Sequence, residues 1–322
     1  MIHPGVIACC SQQSGAVYTT NLGILELQYD SFKTANFGGS VFGFPAAMAV
    51  GPDGVVVGTS SAINPGMGSM NVFSIPFDTG SPLSGTTSIS GGLLSTQSSI
   101  RGMVFAKDGE KLYVGGQSGT NLVQEYTLSS AYDISTASSA GTATLGTGLN
   151  ALQGIAISGD GTKFYAMRST SGSVGFVREY AMGTAFDITS LSTTRDVTAA
   201  LTGNWGGGGG SGFATDIAVS PDQSKITIAS LSGTSNNFQS ILDEWPLTDG
   251  NISPISSSTD RKSKNFSRDI SDSWDSVNDD ALTYVQAYNF TPDGQSLILA
   301  GVHMDDGGSG SSNQFHITRW VD

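Results

Sequence analysis

Short apolar runs broken by Gly, Pro, Asp or Ser recur along the whole chain, and none approaches the roughly 18 residues of a membrane span. One block returns five times: an apolar strand, an Asp-Gly-type turn and a second apolar strand. It reads AAMAVGPDG-VVVG from Ala46, RGMVFAKDG-E-KLYVG from Arg101, QGIAISGDG-T-KFYA from Gln153, DIAVSPDQ-S-KITIA from Asp216 and QAYNFTPDG-Q-SLILA from Gln286. The turn aspartates Asp53, Asp108, Asp160, Asp222 and Asp293 follow at intervals of 55, 52, 62 and 71 residues. That spacing is too long for one hairpin and fits one small sheet per repeat.

Each copy runs on into a third strand ending in an aromatic residue, often preceded by an acid: VFSI from Val72, VQEYTL from Val123, VREY from Val177, LDEWPL from Leu242 and ITRW from Ile317. Ile24-Leu25-Glu26-Leu27-Gln28-Tyr29, preceded by Val6-Ile7-Ala8-Cys9, reads as a sixth copy. Gly54, Gly109, Gly161 and Gly294 supply the positive φ that a tight reversal needs. Two or three strands cannot bury an apolar face alone, and stacking small sheets around an axis solves that problem.

The pattern therefore predicts an all-β β-propeller of four-stranded blades, six by this count and five as the alternative. One blade would be closed by both chain termini, and fourth strands are expected near 138–145 and 195–201. Length alone would suggest about two domains, but the periodicity makes residues 1–322 a single domain. Its repeats lie near 1–40, 41–96, 97–148, 149–208, 209–281 and 282–322, with a long insertion at 256–282. A β-sandwich would not need five copies of one turn-and-strand unit.

Composition agrees: 43 of 322 residues are Gly and only 13% are charged, about half the usual share. The net charge of −13 argues against nucleic acid, whose phosphates need a basic stripe. Val6 to Cys9 superficially matches a lipoprotein cleavage site, but no Lys or Arg precedes it and its apolar region is short, so processing is not expected. Adjacent Cys9 and Cys10 cannot bridge each other without strain and read as small strand residues.

At the end of the third strand two repeats carry a longer motif, EYTLSSAYDISTAS from Glu125 and EYAMGTAFDITSLS from Glu179. This resembles the "Y-x-L-x-x-A-aromatic-D-[IV]-S" repeat of structural proteins from marine and cyanobacterial tailed phages, where it alternates with "G-[ILM]-x-F-x-x-D-G-x-K-[LMF]-Y-V". The likeness covers roughly residues 40–320. It implies a virion component of tail, fibre or capsid decoration that is a rigid binding disc without catalysis or cofactor. Other virion proteins would be its partners, in multiple copies, with a host-surface glycan or receptor as a further one. From the residues themselves, the aromatic before Asp133 and Asp187 is expected to pack over a blade edge, while these aspartates accept backbone N–H bonds in the turn.

Two other functions remain open to the sequence: a propeller hydrolase acting on a sugar acid or lactone with a channel metal, and a lectin-like module. The inner strands carry Met48, Met103, Ile155, Ile217 and Ala287 at equivalent places, with Asp216 and Gln286 the polar candidates near the channel mouth. Three histidines, His3, His303 and His316, are too few for a zinc cage, and no G-x-S-x-G or H-E-x-x-H motif occurs. The acids of 269–280 and 305–306 could supply oxygen ligands to calcium, but those of 269–280 lack the spacing of a calcium loop and solvated loops are expected. Residues 206–210, all glycine, are followed by no Lys-Ser/Thr and read as an inter-blade connection. Loops as long as the insertion are usually functional or mobile; its Trp274, and Trp205 beside the glycines, are the candidate interface anchors, with packing within the blades as the alternative. No catalytic, cofactor or metal residue is expected.

Overall fold

The structure is a computed structural model. It describes residues 28–35, 43–52, 54–61, 69–74, 88–90, 100–118, 120–147, 149, 152–170, 173–197, 213–234, 237–253, 262–265, 282–304 and 314–321. After β1 (Gln28–Ala35), sheet 1 is built from β2 (Gly43–Val50), β3 (Gly54–Ser61), β4 (Ser69–Ser74) and β5 (Ser88–Ser90). Sheet 2 has β6 (Ile100–Phe105), β7 (Lys111–Ser118), β8 (Thr120–Leu128) and β9 (Ala137–Thr144). In sheet 3 follow β10 (Leu152–Ile157), β11 (Lys163–Thr170), β12 (Ser173–Met182) and β13 (Leu191–Asp196). Sheet 4 consists of β14 (Phe213–Val219), β15 (Lys225–Thr234) and β16 (Asn237–Thr248), whose outer edge is paired by β17 (Asn251–Ile252) and then β18 (Lys262–Asn265). Sheet 5 contains β19 (Leu282–Phe290), β20 (Ser296–Met304) and β21 (Gln314–Val321), completed by β1 on its outside. The described residues thus form an all-β fold of antiparallel sheets, four of them four-stranded and sheet 4 five-stranded.

The first strands of the sheets touch in a closed cycle: β2 meets β6, β6 meets β10, β10 meets β14, β14 meets β19, and β19 returns to β2. Every one of them carries a β-bulge at the same place, at Ala46, Arg101, Gln153, Thr215 and Gln286. One residue later four of the five strands carry only Gly or Ala, and at Gly102 the neighbouring backbone approaches closely. A Cβ on Gly102 would lie 2.7 Å from the Ile155 nitrogen, a separation at which backbone would have to move.

The core follows the same logic, lying between sheets. Val56, Ile100, Met103, Tyr126 and Ile134 fill the joint of sheets 1 and 2. Tyr113, Ile155, Phe164, Tyr180 and Ile188 fill that of sheets 2 and 3, and Tyr165, Val177, Ile217, Trp245 and Ile252 that of sheets 3 and 4. Each sheet therefore buries both faces only in the company of its neighbours.

Three expectations change. Among the described residues there are five sheets, the number the repeats offered as the alternative to six. Gln28 and Tyr29, read as the end of a third strand, belong to β1, which pairs β21 as the outermost strand of sheet 5, with Tyr29 opposite Trp320. The misreading arose because Glu26-Leu27-Gln28-Tyr29 imitates the acid-then-aromatic ending of a true third strand. Second, the stretch 256–282 is not wholly an insertion, since 262–265 pairs residues 241–244 as the outer strand of sheet 4. Third, the outer strand of sheet 3 spans 191–196 and not 195–201. The other fourth strand, at 137–144, lies beside the predicted 138–145.

Candidate functional site

The hairpin turns between first and second strands all follow the ends of the innermost strands, and their chemistry is repeated. In sheet 3 the Gly161 N–H donates to the Ser158 carbonyl and Gly161 takes φ +69°. Asp160 Oδ1 accepts from the Ser158 hydroxyl (2.6 Å), the Thr162 N–H (3.0 Å) and the Thr162 hydroxyl (2.9 Å). Burial raises the Asp160 pKa, but these donors outweigh it and hold the carboxyl below its usual value. Asp222 is served likewise by Ser220 and Ser224, and Asp293 by Thr291 and Gln295. Asp108 accepts from the Glu110 N–H. Gly109 and Gly294 adopt φ near +73° and +71°. Gln223 replaces glycine in sheet 4, at φ +61°. Asp53 lies outside the described residues, and Gly54 opens β3.

The ends of the inner strands surround an axial cavity of about 100 Å³ with walls from all five sheets: Val50, Phe105, Ile157, Val219 and Phe290 among them. Its floor is apolar. The rim hydroxyls of Ser158, Ser220 and Thr291 are already engaged by the turn aspartates and by backbone N–H groups of Lys163, Lys225 and Ser296. Among the described residues no group of three or more His, Cys, Asp or Glu is placed to hold a metal. The cavity offers shape and apolar contact, with Lys107 as its charged rim residue.

Deeper along the axis, Asp216 occupies the position filled by Gly102, Gly154, Ala47 and Ala287 in the other sheets. It is fully buried, and its two oxygens accept the Ile217 N–H (2.8 Å) and the Tyr288 N–H (3.0 Å). Burial drives its pKa well above the ordinary value against the pull of those two N–H groups. Expected at the channel mouth, Asp216 is a tie from sheet 4 to sheet 5. Gln286 is the bulged residue of β19. At equivalent bulges, Arg101 Nε and Thr215 Oγ1 are buried without a hydrogen-bond partner, and burial lowers the Arg101 pKa.

The aromatic-Asp-Ile element proves to be half of a joint. Tyr132 and Phe186 sit at φ 62° and 60°, which costs a residue with a Cβ about 1–2 kcal/mol. Their N–H groups donate to the carbonyls of Gly109 and Gly161 at 2.8 and 3.0 Å. Each ring lies so close to its glycine that an added Cβ would meet it at 2.3 Å and 2.5 Å respectively. Asp133 and Asp187 then cap a short 3-10 turn by accepting the Ser135 and Thr189 N–H groups. For Asp187, the Thr189 hydroxyl and N–H depress the pKa.

The preceding sheet grips this element. From sheet 2, Lys111 Nζ and Tyr113 Oη each donate to the Phe186 carbonyl at 2.7 Å, while Glu125 accepts from Lys111 (2.6 Å) and the Ile188 N–H (3.1 Å). Burial, then the Glu125 charge, pushes the Tyr113 pKa upward. From sheet 3, Tyr165 Oη donates to the Gly250 carbonyl (2.5 Å), and buried Glu179 accepts the Ile252 N–H (2.6 Å) as well as Arg195. These clamps were not foreseen. Their trace in the sequence is the Lys-x-Tyr at the start of the second strand together with the Glu before the third strand's aromatic.

The structure thus places Asp108, Asp160, Asp222 and Asp293 in separate turns, and Asp133 and Asp187 in joints; it brings none of them into one cluster. His303 and His316 lie on adjacent strands β20 and β21. Trp205, Trp274, His3, the two cysteines, the glycines of 206–210 and the acids of 269–280 and 305–306 lie outside the described residues.

No family model matches the chain, and no curated protein does. Solved structures similar to it include a protein provisionally assigned as a 6-phosphogluconolactonase from Bacteroides uniformis, 14% identical, with 81% of this chain and 67% of that one covered at a TM-score of 0.42. Sqt1 from Chaetomium thermophilum is 14% identical over 92% of this chain and 75% of its own, with a TM-score of 0.38. A COPII outer-coat vertex on membranes is 12% identical over 82% and 61%, with a TM-score of 0.39. None of the three assigns this chain a family or an activity.

Proposed function

We propose that this chain is a five-bladed β-propeller acting as a non-enzymatic scaffold that binds other proteins, and that it does so as a component of a phage particle. The observation that carries the scaffold reading is the use made of the repeat's own polar residues. Glu125, Glu179, Tyr113, Tyr165, Asp133 and Asp187 are all engaged within the joints and turns, by backbone groups and, for the four acids, also by the side chains of Lys111, Arg195, Ser135 and Thr189. A propeller enzyme needs several such groups turned inward at one place, and here the axial cavity is lined by apolar residues from all five sheets together with Lys107, Asn289 and the hydroxyls of Ser158, Ser220 and Thr291, with no Asp, Glu or His among its lining residues. The virion assignment rests on the repeat motifs at 125–138 and 179–192. It is tested by mass spectrometry of purified particles made by the phage that encodes this chain: the chain should be present at a fixed ratio to the major capsid protein. Its absence from particles while abundant in the infected cell would contradict the assignment.

A further inference from the structure

The joints of sheets 2–3 and 3–4 share one clamp, a tyrosine hydroxyl and a glutamate of the preceding sheet bound to backbone of the next, and differ in what fills the space beside it. Gly250 stands where Phe186 stands: both are left-handed, at φ 69° and 60°, and the carbonyl of each accepts a tyrosine hydroxyl from the preceding sheet. In sheet 2 the same place holds Tyr132, whose ring also reaches Gly51 of sheet 1, 3.1 Å from where a Cβ there would be. At sheet 4 the ring is missing, and the glycine it would cover is Gln223. The Gln223 side chain instead leans across to Gly159 of sheet 3, its Nε2 2.8 Å from a Cβ built there.

The joint of sheets 3 and 4 consequently holds a cleft of about 270 Å³, lined by Asp160, Thr162, Tyr165, Gln223, Asp249 and Gly250, with Ser158, Val219 and Leu247 behind them. It is smaller than the roughly 300–1,000 Å³ of a drug-sized pocket, so it suits a single side chain. Its two carboxyl groups belong to Asp160 and Asp249. Asp160 uses one oxygen, Oδ1, for all of its bonds within the turn, and Asp249 is exposed. The neighbouring cation, Lys163, packs its stem beside Gly250 and gives its ammonium to Asn251 Oδ1 at 3.2 Å.

We infer that this cleft is a binding slot for an arginine side chain of a partner protein. A guanidinium is planar, as the rings are that occupy the matching places, and its donor fork meets carboxylates that a ring cannot use. The inference deepens the scaffold reading, on which it rests, by naming the chemistry of the partner.

The test titrates the full chain with acetyl-Gly-Arg-Gly-amide, and with the Lys and Tyr counterparts, following backbone amide shifts by NMR. The Arg peptide should move residues 158–165, 219–223 and 247–251 with millimolar affinity or better. Asp160→Asn and Asp249→Asn should each weaken it several-fold, and the effect should fade with added salt. The pair Gln223→Gly with Gly250→Phe rebuilds the ring-on-glycine stopper seen at Gly161 and Phe186, and should abolish binding while the amide spectrum stays folded. No shift at these residues, equal binding of the Lys peptide, or tighter binding of the Tyr peptide insensitive to both Asp variants would each overturn the inference. The virion assignment stands or falls on particle composition, a separate measurement.

Discussion

The joint between sheets 2 and 3 and the joint between sheets 3 and 4 are built from one plan and finished differently. Both pin an isoleucine N–H to a buried glutamate and a left-handed carbonyl to a tyrosine hydroxyl. One is stoppered by Phe186 seated on Gly161, and the other, with Gly250 and Gln223, is left with a cleft. The difference teaches that the clamp and the stopper are separable. The clamp decides whether the sheets stay together, and the stopper decides whether their joint presents a flush surface or a recess.

The largest effect should come from the clamp. Glu179 is wholly buried, and its removal leaves the Ile252 N–H and Arg195 without their acceptor. Glu179→Ala should cost about 3 kcal/mol, near the low end for a broken buried pair because Arg195 can turn to water. Glu179→Gln, which keeps an acceptor for Ile252, should recover part of that loss in denaturant unfolding. A change below about 0.5 kcal/mol would show that the clamp is not what joins these sheets.

The next effect separates stopper from clamp. Gly161 and Gly250 share the same φ, +69°, so alanine meets the same backbone penalty of about 1 kcal/mol at each. At Gly161 the new Cβ also strikes the Phe186 ring at 2.5 Å, whereas at Gly250 it meets the flexible stem of Lys163 at 3.1 Å. Gly161→Ala should therefore lower Tm clearly more than Gly250→Ala; equal losses would mean that the ring yields at no cost. Phe186→Gly should lie within about 1 kcal/mol of the parent, because relief of the left-handed strain offsets lost ring contact. It should also open a second recess.

The smallest effect is electrostatic. Asp160, Asp187 and Asp222 all titrate below the ordinary 3.8 in the folded chain. Their contribution is present above that value and is lost as the pH falls through their folded pKa values. Asp160→Asn should flatten the acid limb of a Tm-against-pH curve by lowering its neutral plateau slightly while leaving Tm at the acid end nearly unchanged. Asp216 acts in the opposite sense: its raised pKa makes stability decline as pH rises from about 3.8 toward the folded value.

What the sequence revealed is what depends on nearby residues. The Asp-Gly turns announce themselves because the aspartate bonds its own backbone two residues on and the glycine supplies a left-handed φ. Asp133 and Asp187 were readable as turn acceptors for the same reason. What joins one sheet to the next was not readable, since Glu125 and Ile188 are 63 residues apart, and Glu179 and Ile252 are 73. The outer strands at 28–35 and 262–265 escaped notice because an edge strand needs no apolar alternation. The cleft was invisible for a related reason: a missing aromatic at Gly250 gains meaning only when the joints are superposed.

Among the described residues the first strands of the five sheets touch in a closed cycle, and β1 completes sheet 5 as its outer strand. Thr34 and His316 are register partners across β1 and β21, a spacing within reach of a disulfide. With Cys9 and Cys10 replaced by Ser, the pair Thr34→Cys and His316→Cys should oxidise to a single intramolecular cross-link in the folded protein and raise its Tm. A folded protein that leaves both thiols reactive under the same oxidation would contradict β1 as the strand that completes sheet 5.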